Sequence, residues 1–398
     1  MIVLYNPHVD DFLAEPPHFR FLKRRPLKKY GFIIEQEMEH GGKLHVLIDG
    51  TISAFFPERY FSKLPRFVRK WVAHIESSWW IKINGLDGKV EYVKGVADNS
   101  VLLMFSYKGA TGLFPERIKA ISAFPAIIAH LSHYFVSTLE KSNNLSTLPN
   151  VWLAGDSDIS SNSYFRKFFD WYQKPFLVVP FSVAPRFALK TPLPKREQKC
   201  VATGSFHNLD EEKPRQKYRD FQSFFRTNTY HPIRKKIHEN TSSERDDIVS
   251  YVSFYRSNSG GNNFSRLIKH FRVNQKAYFS IDIVDLYNSY QFAVVGEEIT
   301  GFPALGSIEA MACGTVLIGD PRAYEGLGLI PGVHYVAHDG TVEGIKSAMH
   351  AICSEQDKAT MISEAGRLFV EKHFRALPAY KRLVAIINET IHASITEN

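Results

Sequence analysis

Short runs of β-branched and other apolar residues recur through the first half of the chain, and each run predicts a buried strand. The predicted strands are Ile2–Tyr5, Lys43–Ile48, Val101–Phe105, Tyr134–Ser137, Val151–Ala154 and Phe176–Val179. A glycine-containing turn over residues 108–112 follows the third run and leads to Pro115, a residue favoured at the start of a helix. The apolar positions after it have helical spacing and predict a helix that reaches residue 131: Ile118, Ile121, Ile128 and Leu131. A strand, a glycine turn and a helix in succession form the repeating unit of a parallel sheet.

A second series of the same kind begins after the proline-rich, charged stretch at residues 191–197. Its predicted strands are Lys199–Gly204, Ile248–Phe254, Phe292–Val295 and Thr315–Ile318. The last fifth of the chain is predicted to be helical. Thr341 is expected to cap one helix, a second spans residues near 356–374, and Pro378 separates the second from a third.

The two series predict an α/β protein of two domains. The N-terminal domain is expected over residues 1–185 and the C-terminal domain over 186–376, with a final helix over 377–398 that packs back on the first domain. Because each domain has its own parallel sheet, a cleft between them is the expected place for ligands.

The composition is that of an ordinary globular protein: of 398 residues, 44% are hydrophobic and 23% are charged. It excludes a disordered chain, a collagen and a coiled coil. No run approaches the roughly 18 apolar residues of a membrane span, which argues against an integral membrane protein. The N-terminus lacks a basic region and a small-residue cleavage site, and the three cysteines lack metal or disulfide spacing. We therefore expect a reduced, cytoplasmic protein.

The net charge of +8 is concentrated in the first half of the chain. Residues 1–190 hold 24 Lys and Arg against 17 Asp and Glu, whereas residues 191–398 hold 25 against 24. Two basic segments stand out, residues 20–29 and residues 61–80, and in the second Lys and Arg alternate with Phe, Trp and Val. This pattern is typical of an amphipathic helix at an anionic membrane surface or at a lipid-linked anionic acceptor. The alternative is a helix with its apolar face in the core and its basic face in solvent.

Residues 282–320 carry the most specific pattern: a short helix, a buried strand, a glycine-containing loop, a helix and a second buried strand. A helix N-terminus presents unpaired N–H groups and a positive dipole end, which together favour a bound phosphate. Gly301 and Gly306 would let the backbone approach such a phosphate, and Ser307 would add a hydroxyl donor. Glu309, expected in the first helical turn, would accept hydrogen bonds from a ribose. The alternative for Glu309 is a favourable interaction with the helix dipole alone.

The run Glu309-Ala310-Met311-Ala312-Cys313-Gly314, within residues 301–320, resembles the donor-binding core of the group-1 GT-B glycosyltransferases. Residues 178–187 are similar to the turn that joins the two domains of these enzymes, and residues 365–382 are similar to the tail of their spore-maturation-protein-B-like branch. The resemblance covers residues 176–390 and implies the GT-B fold, with two Rossmann-like domains whose parallel sheets face across a cleft. It also implies a glycosyltransferase that moves a sugar from a nucleotide-sugar donor to a glycan or lipid-linked acceptor in bacterial surface polysaccharide biosynthesis.

Two departures from the family pattern leave the stereochemistry of transfer open. Many retaining members carry a second glutamate eight positions before the one matched by Glu309, and this chain has Gly301 there. Glu297 and Glu298 lie three to four residues too early to replace it. The retaining branch also often has a histidine after a central strand of the first domain, where this chain has Lys108.

The resemblance and the predicted strand ends together name the candidate site residues. The donor-binding candidates are Gly204, Arg256, Lys269, Gly301, Gly306, Ser307 and Glu309. Lys108 is expected to neutralise charge on the leaving group or to touch the acceptor, and Gly109 and Thr111 beside it are acceptor-binding candidates. The candidates for a catalytic base are Asp156 and Asp158, which follow a predicted strand.

Both aspartates have a simpler interpretation, in which each caps the next segment of the chain. Their Asp-x-Asp spacing also occurs in metal-dependent transferases of another fold. Two carboxylates alone supply few ligands for a hard cation. We therefore expect that neither a metal nor a cofactor is required.

The expected partners are a nucleotide-sugar donor, a glycan or lipid-linked acceptor, and an anionic surface at the inner face of the cell membrane. Nucleic acid is not expected. Two other functions stay open at this point. One is a nucleotide-sugar epimerase or phosphorylase of the same fold, and an epimerase would release free nucleotide without an acceptor. The other is a non-catalytic module that binds glycans or polyanions in a salt-sensitive way.

Overall fold

The chain divides into two structural units, Met1–Ser182 together with Ala376–Asn398, and Val183–Arg375. The computed structural model describes residues 1–9, 12–13, 29–56, 58–93, 96, 99–106, 108–209, 216–240, 247–254 and 281–396. The division after residue 182 lies three residues before the boundary expected from the sequence, and the last helix belongs to the first unit.

The first unit is built on a parallel sheet. Its strands are β1 (Ile2–Tyr5), β2 (Leu44–Leu47), β3 (Val90–Tyr92), β4 (Val101–Met104), β5 (Ala126–His130), β6 (Val151–Gly155) and β7 (Leu177–Val178). Its helices before residue 182 are α1 (Gly31–Glu39), α2 (Glu58–Phe61), α3 (Arg66–Ile83), α4 (Phe114–Ile121), α5 (Thr138–Leu145) and α6 (Ser163–Phe168). Among the described residues the strand order is β3-β2-β1-β4-β5-β6-β7. The strands β4, β5 and β6 are buried along their whole length, because both faces of a parallel sheet are covered.

The second unit is built on a smaller parallel sheet. Its strands are β8 (Glu197–Ala202), β9 (Ser205–Phe206), β10 (Ile248–Ser250), β11 (Ser253–Phe254), β12 (Tyr290–Val294), β13 (Val316–Gly319) and β14 (Val336–Ala337). Its helices are α7 (Arg219–Phe225), α8 (Pro232–Asn240), α9 (Ile283–Ser289), α10 (Leu305–Ala312), α11 (Pro321–Tyr324), α12 (Val342–Cys353) and α13 (Gln356–His373). In the described part of the chain the sheet has the order β10-β8-β12-β13-β14, and β9 pairs with β11 separately. The core contains Cys200, Phe292, Val316, Ile345 and Ile362.

The last helix, α14 (Ala376–Thr396), packs on α1 within the first unit. Tyr380 donates a hydrogen bond to Glu37 Oε1 at 2.5 Å, and its ring stacks on His40 with 5.7 Å between centroids. The sequence pattern placed Pro378 before this helix, but the residue lies in its first turn. Proline is tolerated there because the first N–H groups of a helix have no intrahelical partner.

The prediction was wrong between α4 and α5. The helix predicted to reach residue 131 ends at Ile121, and β5 follows it. Pro125 is unfavourable inside a helix, and the adjacent pair Ile127-Ile128 suits a buried strand. The predicted strand Tyr134–Ser137 is a turn that ends in a left-handed residue, since Ser137 has a φ of 53°.

Most other predicted strands are confirmed to within two residues at their ends. The exception is Ile248–Phe254, which forms two strands, β10 and β11, in different ladders. The strands β3, β9 and β14 were not predicted. Each has only two or three residues, which is too short for an apolar pattern to mark it.

In the described part of each of the two larger sheets, the chain first adds strands on one side of its first strand and then returns to add strands on the other side. We call the two neighbouring strands between which the chain changes sides the switch point. In the first unit the chain runs from β1 outward to β2 and β3, and then returns to β4 on the other side of β1. In the second unit it runs from β8 to β10, and then returns to β12 on the other side of β8. Loops after the carboxyl ends of such a pair diverge, and open α/β sheets bind ligands in the crevice that results.

Candidate functional site

The switch point of the second unit holds the side chain of Arg234 against two glycines. Gly204 follows β8 and Gly296 follows β12, with φ angles of 110° and 65°. A Cβ added at Gly204 would lie 2.8 Å from Arg234 Nε, and one added at Gly296 would lie 2.8 Å from Arg234 Cγ. Nε donates to the Val295 carbonyl at 2.7 Å, and Nη1 donates to the Ser205 carbonyl at 2.7 Å. The two glycines therefore leave the space in which Arg234, from α8, is fixed.

The sequence prediction missed Arg234 and placed the phosphate-binding cation at Arg256 or Lys269. Those two positions lie outside the described residues. No local motif marks Arg234, because Gly204 and Gly296 are 30 and 62 residues away along the chain and only the sheet brings them together. The available signal was indirect: a glycine shortly after each of two predicted strands leaves room for another group to lie against the backbone.

The loop after β12 and the start of α10 contain three of the predicted donor-binding residues. The Ser307 side chain is fully buried, and its Oγ lies 2.6 Å from Tyr324 Oη. Gly306 has little room for a side chain, since an added Cβ would lie 3.0 Å from Tyr287 Oη. Gly301 has a φ of 95° and belongs to a turn before α10. Gly301 thus shapes the loop, Gly306 lets the first turn of α10 pack closely, and the Ser307 hydroxyl belongs to an internal network.

Glu297 is the acidic member of that network. Its Oε1 accepts a hydrogen bond from Tyr324 Oη at 2.5 Å and one from the Asp320 N–H at 3.3 Å. His338 Nε2 lies 3.9 Å from its Oε2. Burial raises the pKa of this carboxyl group, while His338 and Tyr324 act to lower it. Glu297 is therefore held inside the unit and does not replace, on the surface, the second glutamate of the family pattern.

Glu309 is the fifth residue of α10, in the second turn and not in the first turn as predicted. The first turn contains no acidic residue, so the helix dipole alone does not account for a glutamate here. Burial raises the pKa of its half-buried carboxyl group to about 7, and the Arg186 guanidinium acts in the opposite direction. Arg186 is exposed and lies over the Phe187 ring at 4.8 Å. A cation and a carboxyl group together suit a ligand that bears phosphate and hydroxyl groups.

The turn after β4, at the switch point of the first unit, is held by Arg117 of α4. Arg117 Nη1 donates to the Lys108 carbonyl at 2.9 Å and also to the Gly109 carbonyl. The Thr111 hydroxyl donates to the Lys108 carbonyl at 3.1 Å and is used inside the turn. Burial raises the pKa of Glu76, and the ammonium of Lys108 is among the groups that act to lower it. Lys108 and Gly109 thus lie on a turn that is held by several hydrogen bonds. The positive charge of Lys108 interacts with the buried carboxyl group of Glu76.

Asp156, directly after β6, is the centre of a buried polar cluster. It forms an ion pair with Lys29 and accepts a hydrogen bond from Tyr30 Oη at 2.5 Å. His130 Nε2 lies 2.7 Å from Tyr30 Oη, and the Ser132 N–H donates to His130 Nδ1 at 3.1 Å. Although burial raises it, the pKa of Asp156 is lowered below its usual value by Lys29 and His130. Such a carboxylate is a weak base at neutral pH, which argues against the base role predicted for Asp156.

Asp158, unlike the residues of this cluster, is exposed to solvent. Its Oδ1 accepts a hydrogen bond from the Ser160 N–H at 2.9 Å, which forms a capping turn. Because Asp156 is buried and Asp158 is exposed, the structure does not direct the two carboxylates to one place. Within the described ranges, no group of three or more His, Cys, Asp or Glu side chains is arranged to hold a metal ion.

Helix α3 presents an exposed stripe of large apolar side chains, which we call the aromatic stripe. Its members lie one turn apart: Phe67, Trp71, Ile75 and Trp79. Phe67 is 75% exposed and Trp71 is 65% exposed. The face of α3 that packs into the unit is a different one and includes Trp80 and Ile81. Of the other basic segment, residues 20–29, only Lys29 is described.

None of the helices in the described parts of the chain combines the length and the apolar character that crossing a bilayer requires. The helix that carries the aromatic stripe also presents two exposed basic side chains, Arg66 and Lys70.

Two α/β units, each with an open parallel sheet and with candidate residues at its switch point, define a protein of two Rossmann-like domains. Solved structures of the same kind cover nearly the whole chain. Sucrose-phosphate synthase from Thermosynechococcus elongatus is similar over 98% of this chain and 99% of its own, at 11% identity and a TM-score of 0.50.

Two structures of HepE from Anabaena are also similar. The complex with UDP and glucose matches over 97% of this chain and 99% of its own, at 10% identity and a TM-score of 0.51. The complex with UDP-glucose matches over 98% and 99%, at 11% identity and a TM-score of 0.50. No protein-family model and no curated protein matches the sequence. The chain has the GT-B fold of glycosyltransferases, as the resemblance of residues 301–320 implied.

Proposed function

We propose that this chain is a glycosyltransferase that moves a sugar from a nucleotide-sugar donor to a glycan or lipid-linked acceptor in bacterial surface polysaccharide biosynthesis. The observation that carries the proposal is the side chain of Arg234 at the switch point of the second unit, whose guanidinium group lies against Gly204 and whose Cγ lies against Gly296. A cation and a closely approaching backbone at this place in an α/β sheet suit a diphosphate. The HepE structures, which contain UDP and UDP-glucose, support a donor of this class.

The proposed donor site lies in the second unit. Arg234 and Arg186 would balance the charge of the diphosphate, and Glu309 would accept hydrogen bonds from ribose hydroxyl groups. Gly301 shapes the loop that leads to the N-terminus of α10, and Gly306 lies in the first turn of this helix. Catalysis would rest on stabilising the departing nucleoside diphosphate with these cations and with the helix N-terminus. The proposal needs no metal and no cofactor.

The proposed acceptor side lies in the first unit, on the turn that carries Lys108, Gly109 and Thr111. Lys108 would offer its charge to the acceptor or to the leaving group. Asp158 is the better of the two candidates for a base in an inverting reaction, because it is exposed. Asp156 holds Lys29 and Tyr30 in place instead.

We also propose that the enzyme acts at the inner face of the cell membrane, through α3. Its aromatic stripe would enter the head-group layer, where indole rings are favoured. The adjacent Arg66 and Lys70 are exposed, and basic residues near an anionic leaflet each contribute about 1 kcal/mol.

Nucleotide binding tests the proposed activity. Thermal unfolding is followed with UDP, GDP, ADP, TDP and CMP for the wild type, for Glu309→Ala and for Glu343→Ala. Glu343 is an exposed glutamate of α12 and serves as the matched control. We expect one nucleotide, at 100 times its Kd, to stabilise the wild type and the control by about 2.7 kcal/mol, and Glu309→Ala to lose most of this gain.

Turnover is then measured as nucleotide release from the corresponding nucleotide-sugar. Release that depends on an added glycan or lipid acceptor is the expected result. Release without any acceptor would indicate an epimerase of the same fold. A folded protein that binds none of the five nucleotides overturns the proposal and favours a polyanion-binding module, whose binding would weaken steeply with salt.

A further inference from the structure

The first unit contains a cavity of about 600 Å³ beyond the carboxyl end of β2. Its walls come from the turn after β2, from α3, from the segment after β3 and from α4 with the residues that follow it. A cavity of this size is in the range of small-molecule sites. The donor site proposed above lies in the other unit, so this cavity has no assigned role.

The charged residues of the cavity wall leave an excess of positive charge. Its two acids already have partners: Asp49 accepts hydrogen bonds from Tyr5, Asn6 and Thr51, and Glu116 is paired with Arg69. Its three cations are Arg66, Lys70 and Lys119. Within the part of the chain that the structure describes, the side chains of these three residues form no hydrogen bond and no ion pair. Three uncompensated cations on two helices suit an anion with several oxygen atoms.

Gly50 fixes one of these cations at the wall. Its φ is 75°, and an added Cβ would lie 2.7 Å from both Cα and Cγ of Lys70. Only a glycine allows the backbone of α3 to lie this close to the turn after β2. The position of the Lys70 backbone is therefore set by this contact, and its side chain lines the cavity.

The rest of the wall is mainly apolar. Its apolar residues include Leu47 of β2, Val93 after β3, Ala120 of α4 and Phe124, and its polar residues are Thr51, His74 and Tyr92. A free phosphate would gain nothing from the apolar residues, whereas a hydrocarbon chain next to the anion would bury against them.

Helix α3 connects this cavity with the aromatic stripe. Residues 66, 70 and 74 face the cavity, and residues 67, 71 and 75 form the exposed stripe. Positions that differ by one residue are about 100° apart around a helix, so the two rows lie on adjoining faces. An amphiphile that contacts the aromatic stripe of α3 would therefore have its anionic head group next to the cations of the cavity.

We propose that this cavity binds the phosphate-bearing head of a lipid-linked acceptor while the aromatic stripe of α3 lies in the head-group layer. This inference rests on the proposed function and names its acceptor class: an amphiphile with a terminal phosphate group at the head of its hydrocarbon part. Arg66, Lys70 and Lys119 bind the phosphate, and the apolar wall contacts the first carbons of the chain.

Binding of dihexanoyl phosphatidic acid, used as a dissolved monomer, tests the cavity without a membrane. Titration calorimetry compares the wild type with Arg66→Gln, Lys70→Gln and Lys63→Gln. Lys63 is an exposed lysine of the same basic segment that does not line the cavity, and it is the matched control. We expect Arg66→Gln and Lys70→Gln each to weaken binding by about tenfold, and Lys63→Gln to leave it unchanged.

Vesicle sedimentation tests the stripe separately. With phosphatidylcholine vesicles that contain phosphatidic acid, we expect Trp71→Ala to reduce the bound fraction several-fold while binding of the dissolved lipid stays unchanged. The control is Met361→Ala, which removes an equally exposed apolar side chain of α13 in the second unit.

Three results would overturn the inference. One is a folded wild type that does not bind the dissolved lipid. Another is an equal loss of binding in Lys63→Gln and Lys70→Gln, which would indicate general charge attraction. The third is inorganic phosphate binding as tightly as the lipid, which would remove the role of the apolar wall. Because the nucleotide titration is run on the same preparations, failure of the lipid site and failure of the proposed activity are distinguishable.

Discussion

Glu309 carries a carboxyl group whose environment makes its charge depend on pH near neutrality. Burial raises its pKa to about 7 even though Arg186 opposes the shift. In the folded protein the group therefore keeps its proton at pH values where the unfolded chain, with a pKa of 4.5, has lost it. Its contribution to folding stability is largest at low pH, falls as the pH rises from about 4.5 to about 7, and stays reduced above that.

Glu309→Gln should consequently stabilise the protein at alkaline pH. We expect a gain on the order of 1–2 kcal/mol at pH 8, after allowance for partial exposure, and about a quarter of that gain at pH 5. Urea unfolding at the two pH values measures it, with Glu343→Gln as the control at an exposed position of α12. An equal change at both pH values would show that burial of the charge is not the cause. The same substitution should weaken nucleotide binding, so stability and binding change in opposite directions.

Arg234 shows at the scale of secondary-structure elements how the donor site is built. Helix α8 supplies the side chain, and the ends of β8 and β12 supply two glycine positions that accept it. Its guanidinium donates to carbonyl groups that follow both strands, Ser205 after β8 and Val295 after β12. The three elements are therefore linked through the Arg234 side chain, and a change in any of them would move its guanidinium group.

Gly204→Ala tests this arrangement. The new Cβ would lie 2.8 Å from Arg234 Nε and 2.9 Å from its Cζ, and the φ of 110° is unfavourable for alanine. We expect a loss of about 2–3 kcal/mol in the free energy of unfolding together with weaker nucleotide binding. The control is Gly332→Ala, where φ is 77° and nothing lies within 4 Å of the added Cβ. This variant loses only the stability that the unfavourable backbone angle costs. Equal stability losses and unchanged nucleotide binding in the two variants would contradict the assignment of Arg234.

At the scale of the whole molecule, the chain returns to its first unit after completing the second. The helix α14 packs on α1 through the hydrogen bond between Tyr380 and Glu37 and through the stacked His40 ring. Ala379, Leu383 and Ile387 of the same helix are buried. The first unit is therefore incomplete without the last 23 residues of the sequence, although its sheet is finished before residue 182.

Truncation after Arg375 should destabilise the first unit and spare the second. Removing the helix exposes the apolar faces it covers, while the sheet and core of Val183–Arg375 are unchanged. We expect a calorimetric scan to show one transition lowered by roughly 10 °C or more, and nucleotide to raise the other transition as in the full chain. Loss of nucleotide binding in the truncated protein would mean that the donor site depends on the first unit.

Much of the fold was determined by short stretches of sequence. Apolar runs of four or five residues predicted the central strands, because a strand covered on both faces must be apolar throughout. Thr341 was recognised as a helix cap, and its Oγ1 accepts a hydrogen bond from the Gly344 N–H at 2.9 Å. The run from Glu309 to Gly314 implied the GT-B fold. Local patterns failed where the same apolar residues serve either a helix or a strand, as at Ile127 and Ile128.

Only the tertiary structure decided which polar residues contact one another and how their pKa values are shifted. Asp156 was predicted as a base from its position after a strand, but Lys29, 127 residues earlier, forms an ion pair with it and lowers its pKa. Arg234 was missed because its two glycine contacts lie in other elements of the sheet. Sequence patterns report what each segment prefers by itself. Charge, burial and pKa depend on neighbours brought from distant parts of the chain, and these neighbours are chosen by how the strands are ordered in the sheet.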